Sequence, residues 1–220
     1  GGSMHLVYLA AGFLGATPIV AATIPIAVGT AFASRLRGAR RVSVIFFGDA
    51  APETGVFHES LNFAALKRLP VLFVCENNLY STATPLSDRQ PDRTLASAGA
   101  GHGVEGRQGD GNDAVEVYTL ARGAVEKARR GGGPTLLEFR TYRWREHCGP
   151  NEDTELGYRT KAEVDFWKQR CPIRRLEQRL LADGILTPED VERLTRGLEA
   201  EFASAVAFAG LFKMVRAGMI

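Results

Sequence analysis

Two short polar sequences in this chain each follow an apolar run. Gly48-Asp49 follows the run 42–47, and Asn77-Asn78 follows the run 71–75, with one helix-sized segment between them. A β-rich run, a helical segment and a second β-rich run are typical of a βαβ crossover, in which the two strands are parallel and often adjacent. Asp49 and Asn78 are therefore predicted at the same carboxyl-terminal edge of a sheet, where open α/β sheets bind ligands.

The residue types at this edge suit a metal ion and a phosphate group. Mg²⁺ takes about six oxygen ligands and commonly joins one or two protein groups to phosphate oxygens and water. The carboxylate of Asp49, the amide oxygen of Asn78 and a nearby backbone carbonyl match that preference. Small residues, Ala50-Ala51, and a helix predicted from near Val56 follow, so the backbone can approach a phosphate closely. The alternative is that both motifs are only strand-end turns, which Gly, Asp and Asn also favour.

These blocks resemble the thiamine-diphosphate motif of 2-oxo acid dehydrogenase first-component alpha subunits. The similar residues run from Gly48-Asp49 through Asn62 and Leu69-Pro70 to 76–80, and Asp49 and Asn78 have the family's spacing. The resemblance extends from the first residue to about Ala209, with further similar blocks at Gly1-Gly2-Ser3-Met4-His5, Thr141-Tyr142-Arg143, His147 and Gly157-Tyr158-Arg159-Thr160.

The resemblance implies a role for each site residue. Mg²⁺ would be held by Asp49, Asn78 and the carbonyl of Tyr80. The residues that would bind thiamine diphosphate are Gly48, Asp49, Ala50, Ala51, Asn78, Val20 and His147. His147 would also be the catalytic residue that helps to pass the acyl unit to a lipoyl group.

The histidines carry little information without the resemblance. His147 alone reads as a loop histidine with a local hydrogen bond, although its ordinary pKa of about 6.5 suits proton handling near neutral pH. His5 is a weaker candidate for contact with cofactor or substrate. His58 and His102 have no motif context and are interpreted as incidental.

Several positions depart from the family pattern. Ala50 replaces a glycine, but it can still make backbone contacts if its φ is negative. The family's Gly-Asn-Gly-Ile-Val turn reads Ala16-Thr17-Pro18-Ile19-Val20 here, and Pro18 removes a backbone donor. Glu53-Thr54 and Arg145-Glu146 also differ, so the substrate is not carried over. The family's upstream Tyr-Arg pair has no counterpart, which means a split or truncated gene, or contacts supplied by another chain.

The resemblance implies a function as well as a site. The chain would be the alpha subunit of an enzyme that decarboxylates a 2-oxo acid, or cleaves acetoin, and passes the acyl unit to a lipoyl-bearing acyltransferase. It would be active only with a beta subunit, as two alpha with two beta chains. Two alternatives remain: a catalytically degenerate scaffold or regulatory paralogue, and another phosphate-binding α/β protein. The absence of a Walker-type glycine-lysine motif counts against the second.

The fold class predicted is α/β, with a parallel sheet flanked by helices in a thiamine-diphosphate-binding fold and a helical C-terminal extension. Residues 1–160 are predicted as the α/β domain and 161–220 as its helical C-terminal region. Gly109–Asn112 is interpreted as a turn that follows no apolar strand, before a helix over 114–130 that Asp113 caps. A third strand is predicted over 135–139. Helices are predicted over 161–170, 173–182 and 188–208, and nothing is assigned to 211–220.

Composition places the chain among ordinary α/β proteins of the cytoplasm. The 220 residues carry 27 basic and 25 acidic side chains, which predicts no nucleic-acid partner. Three cysteines without metal spacing favour a reducing compartment. The uncharged stretch 6–34 is long enough for a membrane span, but its Ala, Gly, Thr and Pro content favours a buried helix over 19–35. The following arginines, Arg35, Arg37, Arg40 and Arg41, are interpreted as a solvated turn or as ion-pair partners for another subunit.

Overall fold

A computed structural model describes the backbone of residues 4–216 and the side chains of residues 4–210. Gly1, Gly2 and Ser3, which belong to the first block that resembles the family, lie outside the described residues. The strands are β1 (Ser43–Gly48), β2 (Val71–Asn77), β3 (Tyr80–Ser81), β4 (Thr84–Pro85), β5 (Glu105–Asp110) and β6 (Thr135–Arg140). Four of them form a parallel sheet in the order β1-β2-β6-β5, and β3 pairs with β4 in a small hairpin.

The helices agree closely with the sequence pattern, except at one start and one end. They are α1 (Thr23–Leu36), α2 (Gly55–Leu66), α3 (Ala114–Arg129), α4 (Lys161–Gln169), α5 (Pro172–Ala182) and α6 (Pro188–Arg216). The prediction that α1 starts at Ile19 is wrong, because Ala21 has a left-handed φ of +64° that a helix cannot include. Pro25 then falls in the first turn of α1, where its missing N–H costs nothing. α6 continues past the predicted end at Phe208.

Helices pack on both faces of the sheet, as the fold-class prediction requires, although the second face of β1 is open at Val44 and Phe46. On one face, Phe73 of β2 and Phe47 of β1 pack with Ile24 of α1 and with Phe57 of α2. The other face is covered by α3, in a cluster formed by Leu72, Val74, Leu137, Phe139, Ala124 and Ala128. A parallel sheet flanked by helices, with a helical C-terminal part, is thus confirmed.

The interpretation of Gly109–Asn112 as a turn that follows no apolar strand is only half right. Gly109 and Asp110 are the last residues of β5, a strand without an apolar run that pairs in parallel with β6 at one edge of the sheet, and the turn consists of Gly111 and Asn112. The sequence of β5 shows no apolar pattern for two reasons. An edge strand keeps polar side chains, and glycines occupy positions where other strands have inward-facing side chains. A Cβ at Gly106 would overlap the carbonyl of Ala96. The cap is confirmed, since Asp113 accepts hydrogen bonds from the amides of Val115 and Glu116.

The chain divides into two compact units. The first extends to Pro172 and contains the sheet with helices α1 to α4. The second begins at Ile173 and is built from α5 and α6. Within it, the Thr187 hydroxyl accepts from the Asp190 amide at 3.2 Å and Asp190 accepts from the Thr187 amide at 3.0 Å, a reciprocal cap that starts α6. Among residues 4–216, no helix has both the length and the apolar character needed to cross a membrane.

Candidate functional site

Asp49 lies one residue beyond β1, and its side chain is only 1% exposed. One carboxylate oxygen, Oδ2, accepts a hydrogen bond from Arg89, whose other nitrogen pairs with Glu53. The second oxygen, Oδ1, is buried and has no hydrogen-bond partner among the described residues. A buried carboxylate oxygen left unpaired is costly and needs a physical reason. A cation bound at this oxygen would supply one.

The backbone after Asp49 can approach a phosphate group. Gly48 is exposed, and a Cβ added there would meet no atom within 4 Å. Ala50 has φ −85° and ψ −22°, an ordinary right-handed conformation. The negative φ that the sequence required of Ala50 is therefore present, and a glycine is not needed at this position. A short 3-10 turn, Ala51–Glu53, leads from here into α2.

Asn77 and Asn78, at the end of β2, have different tasks. Asn77 is buried and donates to Oε1 of Glu138 at 2.7 Å, so it is part of the sheet's internal structure. Asn78 is half-buried, and its Oδ1 accepts from the amide of Tyr80 at 3.1 Å. Gly48 of β1 lies opposite Glu76 of β2, so Asp49 and Asn78 emerge from neighbouring strand ends, as predicted.

Glu138 is a buried residue beside the candidate site that the sequence did not single out. It lies in the middle of β6 and is 1% exposed. Besides Asn77, it binds the amide of Ala96 through Oε2 at 2.9 Å. It thereby joins the end of β2 to the 3-10 helix Leu95–His102. A carboxylate inside the apolar run 135–139 was the signal that could have revealed it.

Tyr80 is fixed by an aromatic cluster around its ring. Its hydroxyl donates to Oε1 of Glu163 in α4 at 2.9 Å. Its ring contacts Tyr142 at 6.0 Å and Tyr158 at 5.5 Å between centroids. Burial, followed by the hydrogen bond to Glu163, raises the pKa of Tyr80 far above its ordinary value. The hydroxyl therefore stays protonated and keeps the Asn78–Tyr80 turn attached to α4.

His147 is exposed and lies in the segment between β6 and α4. The start of this segment is held to β2, because the amide of Thr141 donates to the carbonyl of Asn77 at 2.9 Å. Further on, Arg159 binds Asp153 through Nε at 2.8 Å and the carbonyl of Arg145 through Nη2 at 3.0 Å. Arg159 thus holds the carbonyl of Arg145, and His147 follows two residues later. The segment starts at the same edge of the sheet as Asn78.

The remaining histidines and Val20 are placed differently. Val20 is exposed, as is His5, and no hydrogen bond within residues 4–210 joins Val20 to the strand ends. Nδ1 of His58 lies 3.1 Å from Nε2 of His102, so these two histidines form a pair between α2 and the 3-10 helix. Their separation of 44 positions hid this contact from sequence reasoning.

No ready-made cluster of ionisable metal ligands accompanies these residues. In the part of the chain that the structure describes, no group of three or more His, Cys, Asp or Glu side chains is arranged as a metal site. The thiol of Cys75, on β2, is fully buried, and burial followed by the charges of Glu138 and Asp49 raises its pKa well above the ordinary value, which disfavours the thiolate. Any ion at this edge must use mixed ligands such as a carboxylate, an amide and a carbonyl.

Comparison with known proteins places this geometry in a family. Residues 1–215 match the family described as "Dehydrogenase E1 component". The chain belongs to this family. Its resemblance to first-component alpha subunits, inferred from the motif blocks, is thereby confirmed.

Three relatives of this dehydrogenase E1 chain illustrate the range of the family. It is 41% identical to the alpha subunit of acetoin:2,6-dichlorophenolindophenol oxidoreductase from Bacillus subtilis, over 83% of this chain and 54% of that protein. It is 37% identical to the pyruvate dehydrogenase E1 alpha subunit from Rhizobium meliloti, over 95% of this chain and 60% of that protein. It is 37% identical to the 2-oxoisovalerate dehydrogenase alpha subunit from Bacillus subtilis, over 80% of this chain and 52% of that protein. This dehydrogenase E1 chain thus spans between about half and three fifths of these relatives.

Proposed function

We propose that this chain acts as the alpha subunit of a thiamine-diphosphate-dependent dehydrogenase that decarboxylates a 2-oxo acid or cleaves acetoin. The observation that carries the proposal is the buried, unpartnered Oδ1 of Asp49, beside the Asn78–Tyr80 turn in a dehydrogenase E1 chain. The relatives are named for acetoin, pyruvate and 2-oxoisovalerate, so the family supports the substrate class without selecting one member.

The residues at the sheet edge fit a magnesium diphosphate. Asp49, Asn78 and the carbonyl of Tyr80 would hold Mg²⁺, since they offer the oxygen ligands that this ion prefers. Gly48, Ala50 and Ala51 would lie along the diphosphate, with Val20 near the rest of the cofactor. Bound thiamine diphosphate would supply the electron sink needed for loss of carbon dioxide.

His147 is proposed as the residue that handles a proton during acyl transfer to a lipoyl group. Its exposed position suits contact with an acceptor that arrives from outside the chain. The hydrogen bonds of Arg159 to Asp153 and to the carbonyl of Arg145 would hold its segment at the sheet edge.

A beta subunit is proposed to complete the site, in an assembly of two alpha and two beta chains, with a lipoyl-bearing acyltransferase as the next partner. Large exposed apolar residues support a covered surface, and they include Leu6, Leu9, Phe13, Ile19 and Ile26. Three free cysteines, two of them buried, suit the reducing cytoplasm.

Reconstitution with the beta subunit tests the function. The chain alone should not turn over a 2-oxo acid, and added beta subunit should restore turnover, with 2,6-dichlorophenolindophenol as electron acceptor. In the same assembly, His147→Ala should slow acyl transfer to lipoamide by roughly a hundredfold, the usual scale for a lost proton-transfer group. Dye reduction should change little, because the dye needs no lipoyl acceptor.

Three outcomes would count against parts of this proposal. Turnover by the isolated monomer would refute the need for a beta subunit. Equal losses with lipoamide and with dye would remove the specific role of His147. If the assembly forms but binds no thiamine diphosphate, the chain is a scaffold rather than a catalytic subunit.

Arg89 should compete with the metal ion for Asp49. Its guanidinium occupies Oδ2 of that carboxylate, so it brings a positive charge to the place where a cation would bind. Arg89→Gln should therefore raise the affinity for Mg²⁺, in the presence of thiamine diphosphate, roughly tenfold, the scale of one hydrogen bond to a charged group. Isothermal calorimetry on the isolated chain measures this without any assay of activity.

Arg93→Gln is the matched control for the Arg89 variant. Arg93 is exposed four positions after Arg89, and within residues 4–210 its side chain bonds only to Gln90, at 3.3 Å, so its loss should leave Mg²⁺ affinity unchanged. Weaker binding of thiamine diphosphate by Arg89→Gln would reverse the interpretation, and would make Arg89 a ligand of the diphosphate instead of a competitor of the ion.

A further inference from the structure

A cleft of about 290 Å³ lies at the opposite edge of the sheet, where β1 and β2 begin. Five arginines line it: Arg35, Arg40, Arg41, Arg68 and Arg129. They come from three separate parts of the chain, namely the end of α1 with the turn after it, the α2–β2 connection and the end of α3. The sequence shows only the first part as a cluster, so the fold itself creates this arginine cleft.

Two of the five arginines have structural tasks. Arg35 donates to the carbonyls of Lys67 and Arg68, just beyond α2, the second at 3.2 Å. Arg68 donates through Nη2 to the carbonyl of Gly131, just beyond α3, at 3.2 Å. These bonds satisfy carbonyl groups that a helix end leaves without partners.

The other three arginines have no such task. Arg40, Arg41 and Arg129 are exposed, and their guanidinium groups make no ion pair or hydrogen bond within residues 4–210. No Asp or Glu lines the arginine cleft. By contrast, Arg130, the residue after Arg129, forms an ion pair with Glu126 at 3.8 Å.

The charge of the arginine cleft is too large for helix ends to neutralise. The C-termini of α1, α2 and α3 all point to this edge, and each contributes about −0.5 of a charge, or roughly −1.5 together. Against five guanidinium charges this leaves an excess of about +3.5. The whole chain has a formal net charge of only +2, so the positive charge is concentrated here.

We propose that the arginine cleft is a second ligand site, which binds a compact anion carrying several phosphate groups. Guanidinium groups bind phosphate oxygens in pairs, and a concave site with three uncommitted guanidinium groups suits several phosphates close together. The rest of the chain, with nearly balanced charge, offers no basic stripe for a long polyanion. This site does not depend on the cofactor proposal, because it lies at the other end of the strands.

Calorimetry with inorganic tripolyphosphate, without Mg²⁺ and at low ionic strength, tests the proposal. The wild-type chain should bind the probe, and the triple variant Arg40→Gln/Arg41→Gln/Arg129→Gln should bind it at least about tenfold more weakly, since charge-assisted hydrogen bonds are lost. Added salt should weaken the wild-type binding, because the guanidinium groups are exposed.

Two controls separate this site from the cofactor edge and from net charge. Asp49→Ala should bind tripolyphosphate like the wild type. The triple variant Arg122→Gln/Arg193→Gln/Arg196→Gln removes the same charge from exposed surface pairs, and it should also keep the binding.

Three results would overturn the proposal. The first is no binding of tripolyphosphate by the wild-type chain up to about 1 mM, the weak end of specific affinity. The second is equal weakening in both triple variants, which would indicate a net-charge effect. The third is binding of a polyglutamate peptide but not of tripolyphosphate, which would assign the cleft to an acidic protein segment.

Discussion

Replacing Asp49 with alanine should weaken Mg²⁺-dependent binding of thiamine diphosphate by at least about a hundredfold. Loss of a residue that only supports the ligands of a metal ion lowers the metal affinity by up to about a hundredfold, so loss of a ligand itself should cost at least as much. Asp49 is the charged ligand of the proposed ion, and its Oδ1 has no hydrogen-bond partner among the described residues. Calorimetry with thiamine diphosphate, in the presence and absence of Mg²⁺, measures the effect on the isolated chain.

Two further variants make this experiment specific. Asp49→Asn keeps an oxygen and the side-chain volume but removes the charge, so it should retain part of the affinity. Asp88→Ala removes an exposed carboxylate from the loop that carries Arg89, and it should bind like the wild type. Unchanged affinity in Asp49→Ala, with the fold intact by circular dichroism, would eliminate Asp49 as a metal ligand.

Replacing Arg159 with methionine should lower the free energy of unfolding of the first unit by about 3–5 kcal/mol, the cost of removing one partner from a buried ion pair. Arg159 is 3% exposed, and its partner Asp153 is 4% exposed. Methionine keeps most of the buried stem but leaves the Asp153 carboxylate without its main counter-charge. Urea unfolding followed by tryptophan fluorescence measures the change, because Trp167 stacks on Tyr142 beside this ion pair.

An exposed ion pair provides the control for the Arg159 variant. Lys161 pairs with Asp165 on the surface of α4, and Lys161→Met should cost at most about 0.5 kcal/mol. The double variant Arg159→Met/Asp153→Asn should recover part of the loss, since no buried charge remains unpaired. A loss for Arg159→Met no larger than for Lys161→Met would show that the buried pair does not stabilise the unit.

The same ion pair has a defined pH dependence. Burial raises the pKa of Asp153, but hydrogen bonds from Tyr158 and Arg159 and the charges of Arg159 and Arg143 outweigh it, so the pKa lies below its ordinary value of 3.8. As the pH falls, Asp153 is therefore protonated at a higher pH in the unfolded chain than in the folded chain. The stabilisation is complete above the ordinary value, and it is lost as the pH falls through the lower, folded-state pKa.

Strands β1, β2 and β6 could be predicted from sequence, whereas the edge strand β5 could not. β2 is buried on both faces and reads as a continuous apolar run, so its pattern is unmistakable. β5 has no such run, because its Gly106 makes room for the carbonyl of Ala96. A pattern of apolar residues predicts what a strand buries with its own side chains, but not how closely another backbone approaches it.

The same limit applies to the candidate site. Asp49 and Asn78 each follow a strand, so local sequence and the βαβ rule were enough to place them together. Arg89 reaches Asp49 across 40 positions, from a turn directly after the 3-10 helix Leu86–Asp88, and no local pattern predicts that contact. Which carboxylate an arginine will meet depends on packing of the whole unit, so such pairs appear only in three dimensions.

The turn at the end of β2 also affects how a ligand would bind there. Leu79 in this turn and Thr82 in the following β3–β4 hairpin have left-handed φ values of +73° and +55°, and a conformation of this kind costs about 1–2 kcal/mol for a residue other than glycine. The rings around Tyr80 and the bond from Tyr80 to Glu163 keep the turn in place. Because this conformational cost is met while the chain folds, a ligand that used the Tyr80 carbonyl, as proposed, would find it already oriented. Little ordering entropy is then lost on binding, which favours affinity over adaptability at this edge.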